Sequence, residues 1–262
     1  MVTHSPCASI VIPCFNHAGT LVRAVRSAQQ QSHLAEIIIV DDHSTDASFD
    51  IARQLVTADS RIKAVQTTNN MGSGGARNTG VRCASGSHVC FLDADDELLG
   101  DFLQDAFDLI ASQSEMHIVK GEMEFFDPIK GYILPPFDPR HPSVVLSSSC
   151  GMVIPQTIFL RIGGFPENPI FRGPFGGEDV AFMQAVMAHF QPIGRIDRPC
   201  YRVWSEAGSH LDKFLANTRL KGESFEFVRR HPDQEPDGPL KHAVQSYLEY
   251  VTQQVTIHGS SQ

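Results

Sequence analysis

An α/β fold with a mostly parallel central sheet covered by helices is the architecture this sequence predicts. Three observations predict it. Short apolar runs rich in β-branched residues recur through the N-terminal half, each run ends in a polar turn, and each turn leads into a stretch whose apolar residues share one helical face.

Ala8–Pro13 (ASIVIP), Glu36–Val40 (EIIIV), Ile62–Thr67 (IKAVQT) and His88–Leu92 (HVCFL) read as strands. Between the first three lie helices over Thr20–Gln31, with Leu21, Val22, Ala24, Val25 and Ala28, and over Ala47–Ala58, with Phe49, Ile51, Ala52, Leu55 and Val56. A third helix opens near Gly75 and runs to Cys83, and a fourth covers Asp101–Ser112. The second half reads as α+β. Ile118–Phe126 and Tyr132–Leu134 are extended around a turn at Pro128–Gly131, followed by a proline-rich loop over Pro135–Pro142. Met152–Ile154 precedes a short helix at Gln156–Ile162. Gly163–Gly177, rich in glycine and proline, is a candidate substrate lid before a helix over Val180–His189. After Pro199–Trp204, Leu211–Arg230 and Leu240–Ile257 are helical in pattern. No repeat or linker divides the chain, so residues 1–262 are expected to form one domain, with a first half over 8–115, a second over 116–204 and a helical tail over 205–262.

Composition narrows the function. The 262 residues are 42% hydrophobic and 19% charged, which suits a packed domain. A net charge of −9 argues against nucleic acid, whose phosphates are bound through Lys and Arg. There is no apolar run of about 18 residues, and MVTHSP does not begin like a signal peptide, so a soluble, cytoplasmic protein is expected. The cysteines form no CxxC pair and the histidines no helical ligand spacing, so neither is assigned a metal or redox role.

In open parallel sheets, ligands sit beyond the carboxyl ends of the strands. The first strand ends Pro13-Cys14-Phe15-Asn16, the second Asp41-Asp42-His43-Ser44 and the fourth Asp93-Ala94-Asp95-Asp96. Carboxylates gathered at one edge repel one another and call for a cation. Asp93 and Asp95 offer the hard oxygens that Mg²⁺ or Mn²⁺ needs while it holds a diphosphate. Helix capping is the alternative use of each acid taken singly. Asn69–Gly80 (NNMGSGGARNTG) would bring backbone N–H groups and Arg77 close to a nucleotide, or would serve only as a turn and helix start. Glu178 and Asp179 have the same two readings, as chemistry or as acids at a helix N-terminus.

In this order and spacing, SIVIPCFN, EIIIVDDHSTD, NxGxxxARNxG and FLDADD, with GGED at Gly176–Asp179, resemble the family 2 inverting glycosyltransferases of the GT-A fold, over roughly residues 8–204. The resemblance implies a single α/β/α sandwich on a nucleotide-diphosphate sugar, most often a uridine one. It places Pro13 and Phe15 beside the base, with Phe15 at the family's usual Tyr position, and makes Asp42 an acceptor from the base. Gly75, Arg77 and Asn78 would line the nucleotide pocket. Asp93 would contact ribose or share the metal, Asp95 would ligate a divalent ion, Mn²⁺ or Mg²⁺, and Asp96 would support it. Asp179 would be the general base for an acceptor hydroxyl on a glycan, lipid-linked glycan or small molecule. Trp204 stands where many relatives carry a His, and the next His is His210. No transmembrane segment is expected, although peripheral membrane contact is compatible with the tail. Two other classes share parts of this pattern: a haloacid-dehalogenase-like Mg²⁺ phosphatase, whose Asp-x-Asp normally follows its first strand, and a nucleotide-sugar binding module without catalysis.

Overall fold

The computed structural model describes residues 5–172, 176–205, 208–228 and 238–259. In chain order its elements are β1 (Ala8–Cys14), α1 (Leu21–Gln29), β2 (Leu34–Asp41), α2 (Ser48–Ala58), β3 (Ile62–Gln66), α3 (Gly72–Arg82), β4 (His88–Phe91), β5 (Glu97–Leu98), α4 (Phe102–Ser112) and β6 (Ile118–Asp127). Next come β7 (Gly131–Tyr132), α5 (His141–Ser147), β8 (Met152–Pro155), α6 (Gln156–Ile162), α7 (Glu178–His189), β9 (Ile193–Trp204), α8 (His210–Ala216), β10 (Thr218–Lys221), β11 (Ser224–Phe227) and α9 (Pro239–Gly259).

Among the described residues one sheet runs in the order β3-β2-β1-β4-β8-β6-β9-β5, with β7 beside β6. Its first four strands are parallel: Ile10 faces Ile37 of β2 on one side and Cys90 of β4 on the other. Every residue of β1 is buried, as expected of a strand covered on both faces. Beyond β4 the sheet is mixed, because β8 runs antiparallel to both β4 and β6 while β9 is parallel to β6. Strands of both chain halves therefore share one sheet. Helix α3 lies on β1 and β2, and α9 packs on α6 and α7.

Buried Glu36 of β2 fastens the rear of the parallel half. It accepts hydrogen bonds from Ser9 Oγ (2.8 Å) and from the Ser85 backbone N (2.6 Å) and Oγ (2.7 Å), and it pairs with Lys63 Nζ at 2.5 Å. Burial alone would push its carboxyl up, but Lys63, Ser85 and Ser9 together hold it down at about 2.

Several sequence expectations change. Leu211–Arg230 is helical only at α8. Thr218–Lys221 and Ser224–Phe227 pair as a hairpin around Gly222, whose φ of +62° suits a tight turn, and residues 229–230 lie outside the described residues. The period-two alternation of Leu220, Phe225 and Phe227 with charged neighbours outweighs the helical pattern there. The proline-rich stretch ends in α5, with Pro142 in the first turn, where a missing N–H costs nothing. β9 starts at Ile193 rather than Pro199, and β5 is too short to carry a periodic signal. The start of the expected lid is fastened. Tyr247 of α9 donates to the Gly164 carbonyl at 2.6 Å, and Asn78 bonds both main-chain groups of Phe165; residues 173–175 lie outside the described residues.

Candidate active site

The carboxyl ends of β1, β2 and β4 open onto a cleft of about 590 Å³. Pro13, Phe15, Asp42, Gly75, Arg77, Asp93, Asp95 and Asp179 all line it. Phe15 is half exposed at the mouth.

Asp42 is buried, and its oxygens are already engaged. They accept from Thr67 Oγ1 (2.9 Å) and from the N–H groups of Met71 (2.8 and 3.0 Å) and Gly72 (2.8 Å). Asp42 thus lines the cleft while its carboxylate positions the segment entering α3. Gly75 is needed for space, since a Cβ there would sit 2.6 Å from Met71 Cβ. Asn78, expected in the nucleotide pocket, is not among the residues that line the cleft. Its amide donates to the Phe165 carbonyl (2.9 Å) and Glu167 (2.8 Å), and its oxygen accepts from the Phe165 N–H (2.8 Å).

Arg77, one residue earlier on α3, explains how the acids are held together. Only 2% exposed, its guanidinium meets Asp93 at 2.7 Å, Asp179 at 3.3 Å and Glu178 at 3.7 Å. The countercharge expected from a cation is thus supplied in part by the chain itself, which makes Arg77 a link between carboxylates more than a phosphate contact. Ser73 Oγ also bonds Glu178.

Asp96 turns inward. It accepts from Tyr201 Oη (2.9 Å) and the Trp204 N–H (2.9 Å), while Tyr201 Oη accepts from the Asp93 N–H (3.0 Å). The end of β4 is thereby tied to β9, and burial with the neighbouring charges of Asp95 and Asp93 pushes the Asp96 carboxyl well up. Asp95 stays half-buried on the cleft wall, its carbonyl bonded by Arg23. Arg23 also stacks 4.5 Å from the centre of the Trp204 ring, whose N–H donates to Glu97 at 2.7 Å. Trp204 and His210 both line the cleft.

Asp179 stands in the first turn of α7, after Gly177, whose φ of +114° favours glycine. Its side chain is 26% exposed. Burial raises its carboxyl to about 6, against the opposing pull of Arg77 and with help from Glu178 and Asp93. Ser149 Oγ donates to it at 2.5 Å. Ser149 belongs to a loop that buried Lys120 of β6 grips through the carbonyls of Ser148 (3.0 Å) and Cys150. Burial lowers the Lys120 amine to about 8. Sequence reasoning missed Ser149 and Lys120 because no motif surrounds them; only the pairing of β6 with β8, Lys120 opposite Met152, brings them under Asp179.

A parallel sheet ending in a carboxylate-lined cleft, continued by mixed strands, is the GT-A arrangement of glycosyltransferases. The structure resembles Staphylococcus aureus TarS solved with UDP, with a TM-score of 0.63 and 20% identity over 76% of this chain and 61% of that one. Residues 9–133 match the family model of glycosyl transferase family 2. It is 31% identical over 226 residues to an uncharacterised glycosyltransferase of Nostoc sp., covering 85% of this chain and 64% of that protein. It is 40% identical over 100 residues to a Campylobacter jejuni GalNAc(5)-diNAcBac-PP-undecaprenol beta-1,3-glucosyltransferase, covering 37% of this chain and 32% of that one. The chain spans about half the length of the first curated relatives it matches. The family match displaces the phosphatase alternative. Among the described residues, no helix is long and apolar enough to cross a membrane.

Proposed function

We propose that the chain is an inverting glycosyltransferase that moves a sugar from a UDP-sugar to an acceptor hydroxyl, with Asp179 as general base and a divalent ion at Asp95. The observation that carries this reading is the convergence, on one cleft, of the β4-end carboxylates and an α7 carboxyl raised to about 6. A base near the working pH is largely ionised yet still takes a proton effectively. The acceptor oxygen bonds to the anomeric carbon as the bond from that carbon to the diphosphate breaks. The hydroxyl proton passes to Asp179, and a single displacement inverts the centre. Arg77 and Ser149 orient the Asp179 carboxylate for that transfer.

The donor set suits the ion. Mg²⁺-type ions are held by one or two carboxylates plus substrate phosphates, a number that Asp93 and Asp95 offer on the cleft wall. Asp95, with Asp93 beside it, would hold the ion through carboxylate oxygens, and the ion would supply countercharge for a departing diphosphate. The S. aureus TarS structures with UDP and UDP-GlcNAc support the choice of UDP. A cytoplasmic site of action belongs to the same reading.

Thermal-shift titration with nucleoside diphosphates, with and without Mn²⁺, tests it. UDP should raise the melting temperature more with Mn²⁺ than without, and Asp95→Asn should abolish the difference. A stabilisation indifferent to metal would remove Asp95 from its role.

A further inference from the structure

Lys120 is a buried titratable group that the displacement described above leaves unused. It lies on β6 and is only 1% exposed. Its ammonium donates to main-chain carbonyls rather than to a carboxylate, those of Ser148 (3.0 Å) and Cys150, with Met123 Sδ 3.7 Å away. A buried ammonium is costly unless its surroundings compensate it, and a methionine would fill the same space without a charge. What the charge holds in place is therefore informative.

The two carbonyls belong to the residues on either side of Ser149, which is itself fully buried. The loop is closed from within, where the Cys150 N–H donates to Ser148 Oγ at 3.2 Å, and it is tied to β6 a second time, where the Gly121 N–H donates to the Gly151 carbonyl at 2.9 Å. Gly151, with a φ of +63°, then turns the chain into β8. Ser149 Oγ is thereby set on Asp179 Oδ1 at 2.5 Å, the same oxygen that Arg77 Nη1 meets at 3.3 Å. Oδ2 carries neither bond and is the oxygen left to take a proton. A second cavity, of about 550 Å³, meets the cleft at Asp93, Glu178, Asp179 and His210, and Ser148 and Cys150 stand in its wall. It runs on between α5, α8 and the β10–β11 hairpin, past Phe214, Phe225 and Phe227.

We propose that Lys120 is a positioning residue for the general base: by gripping Ser148 and Cys150 it fixes Ser149 Oγ on Oδ1 of Asp179, which holds the carboxylate in one orientation and favours its ionised form. The inference rests on the reading of Asp179 as the base. Asp179 is also faced by Arg77 of α3, Glu178 of α7, Asp93 beyond β4 and His210 of α8, and Lys120 by Cys150, Cys90 of β4 and Arg195 of β9. The route through Ser149 separates Lys120 from these groups, because removing the Ser149 hydroxyl should silence it.

The test reads the ionisation of Asp179 in the full chain, from the side-chain carboxyl signal of carbon-13-labelled aspartate, assigned by its loss in Asp179→Asn. The midpoint should rise by about one pH unit in Ser149→Ala and by a similar amount in Lys120→Met. In the Ser149→Ala background, Lys120→Met should add no more than about half of its single effect. Lys120→Gln, also neutral, reads the same arm should Lys120→Met not fold. A midpoint that substitution of Lys120 leaves in place makes Lys120 a structural clamp only and overturns the inference. Equal shifts in the two backgrounds mean that its charge acts on Asp179 directly and not by way of Ser149, and overturn it as well. Titration with UDP keeps the two readings apart. Affinity should be the same in the Lys120 variants as in the unmodified protein, and failure of the unmodified protein to bind UDP removes the transferase reading, and with it the base, whatever the midpoints do.

Discussion

The two walls that meet at Asp179 are built in opposite ways. On the donor side, residues at the ends of β1, β2 and β4 face one another because parallel strands in register deliver their carboxyl ends to one edge, and polar groups such as Asp42 are saturated by nearby main chain. On the other side of Asp179, Ser149 and Lys120 behind it and the hairpin phenylalanines in the cavity come from elements far apart in sequence, and the cavity wall is mostly apolar. The first wall is thus stiffened by satisfied polar groups, while the second is shaped by side-chain packing, which varies more freely.

The sharpest way to break this comparison is at the junction. Asp179→Asn should lower turnover by about 10²–10⁴-fold while UDP affinity is retained, since general base catalysis is worth that much; steady-state kinetics beside a UDP titration reads both. Arg77→Met is next. It leaves Asp93, Glu178 and Asp179 without their buried partner and should cost about 3–5 kcal/mol in urea unfolding, with part of the loss recovered at acid pH as the carboxylates take up protons. Asn78→Ala, on the structural side of α3, should cost about 1–3 kcal/mol with unchanged UDP affinity; a large affinity loss would return Asn78 to the nucleotide pocket.

Two pH effects are smaller. Turnover should climb as pH rises through about 6, where Asp179 ionises, and Ser149→Ala should move that limb upward because a bond to the ionised form is lost. The sign for stability is the reverse: folded Asp179 keeps its proton to about 6 against an ordinary 3.8, so its contribution to stability declines as pH rises through that window. Glu36 acts the other way. Its folded value near 2 lies below the ordinary 4.5, so its contribution is complete above about 4.5 and is lost as pH falls toward 2; Glu36→Gln should flatten that part of an acid-unfolding curve.

Much of the donor wall was legible in the sequence because its signals are local. The β-branched runs mark the strands, and the residues just after each run lie at the sheet edge by topology alone, which is why Pro13, Phe15, Asp93 and Asp95 fall on the cleft. Asn78 misled because a helix turns about 100° per residue: its neighbour Arg77 points into the acids while Asn78 points to Phe165. Leu211–Arg230 misled because apolar residues at mixed spacing satisfy two periods, and the turn at Gly222 decides between them.

By itself the sequence determined the parallel α/β half, the identity of the acids at its edge and the family model that residues 9–133 match, because periodicity and motif order are properties of the chain read in line. Only the tertiary structure decided that Arg77 bridges Asp93, Glu178 and Asp179, that Lys120 presents Ser149 to Asp179, and that an apolar cavity backs Asp179. Those facts depend on side chains brought together across long stretches of chain, where register, burial and charge balance, rather than local preference, choose the partners.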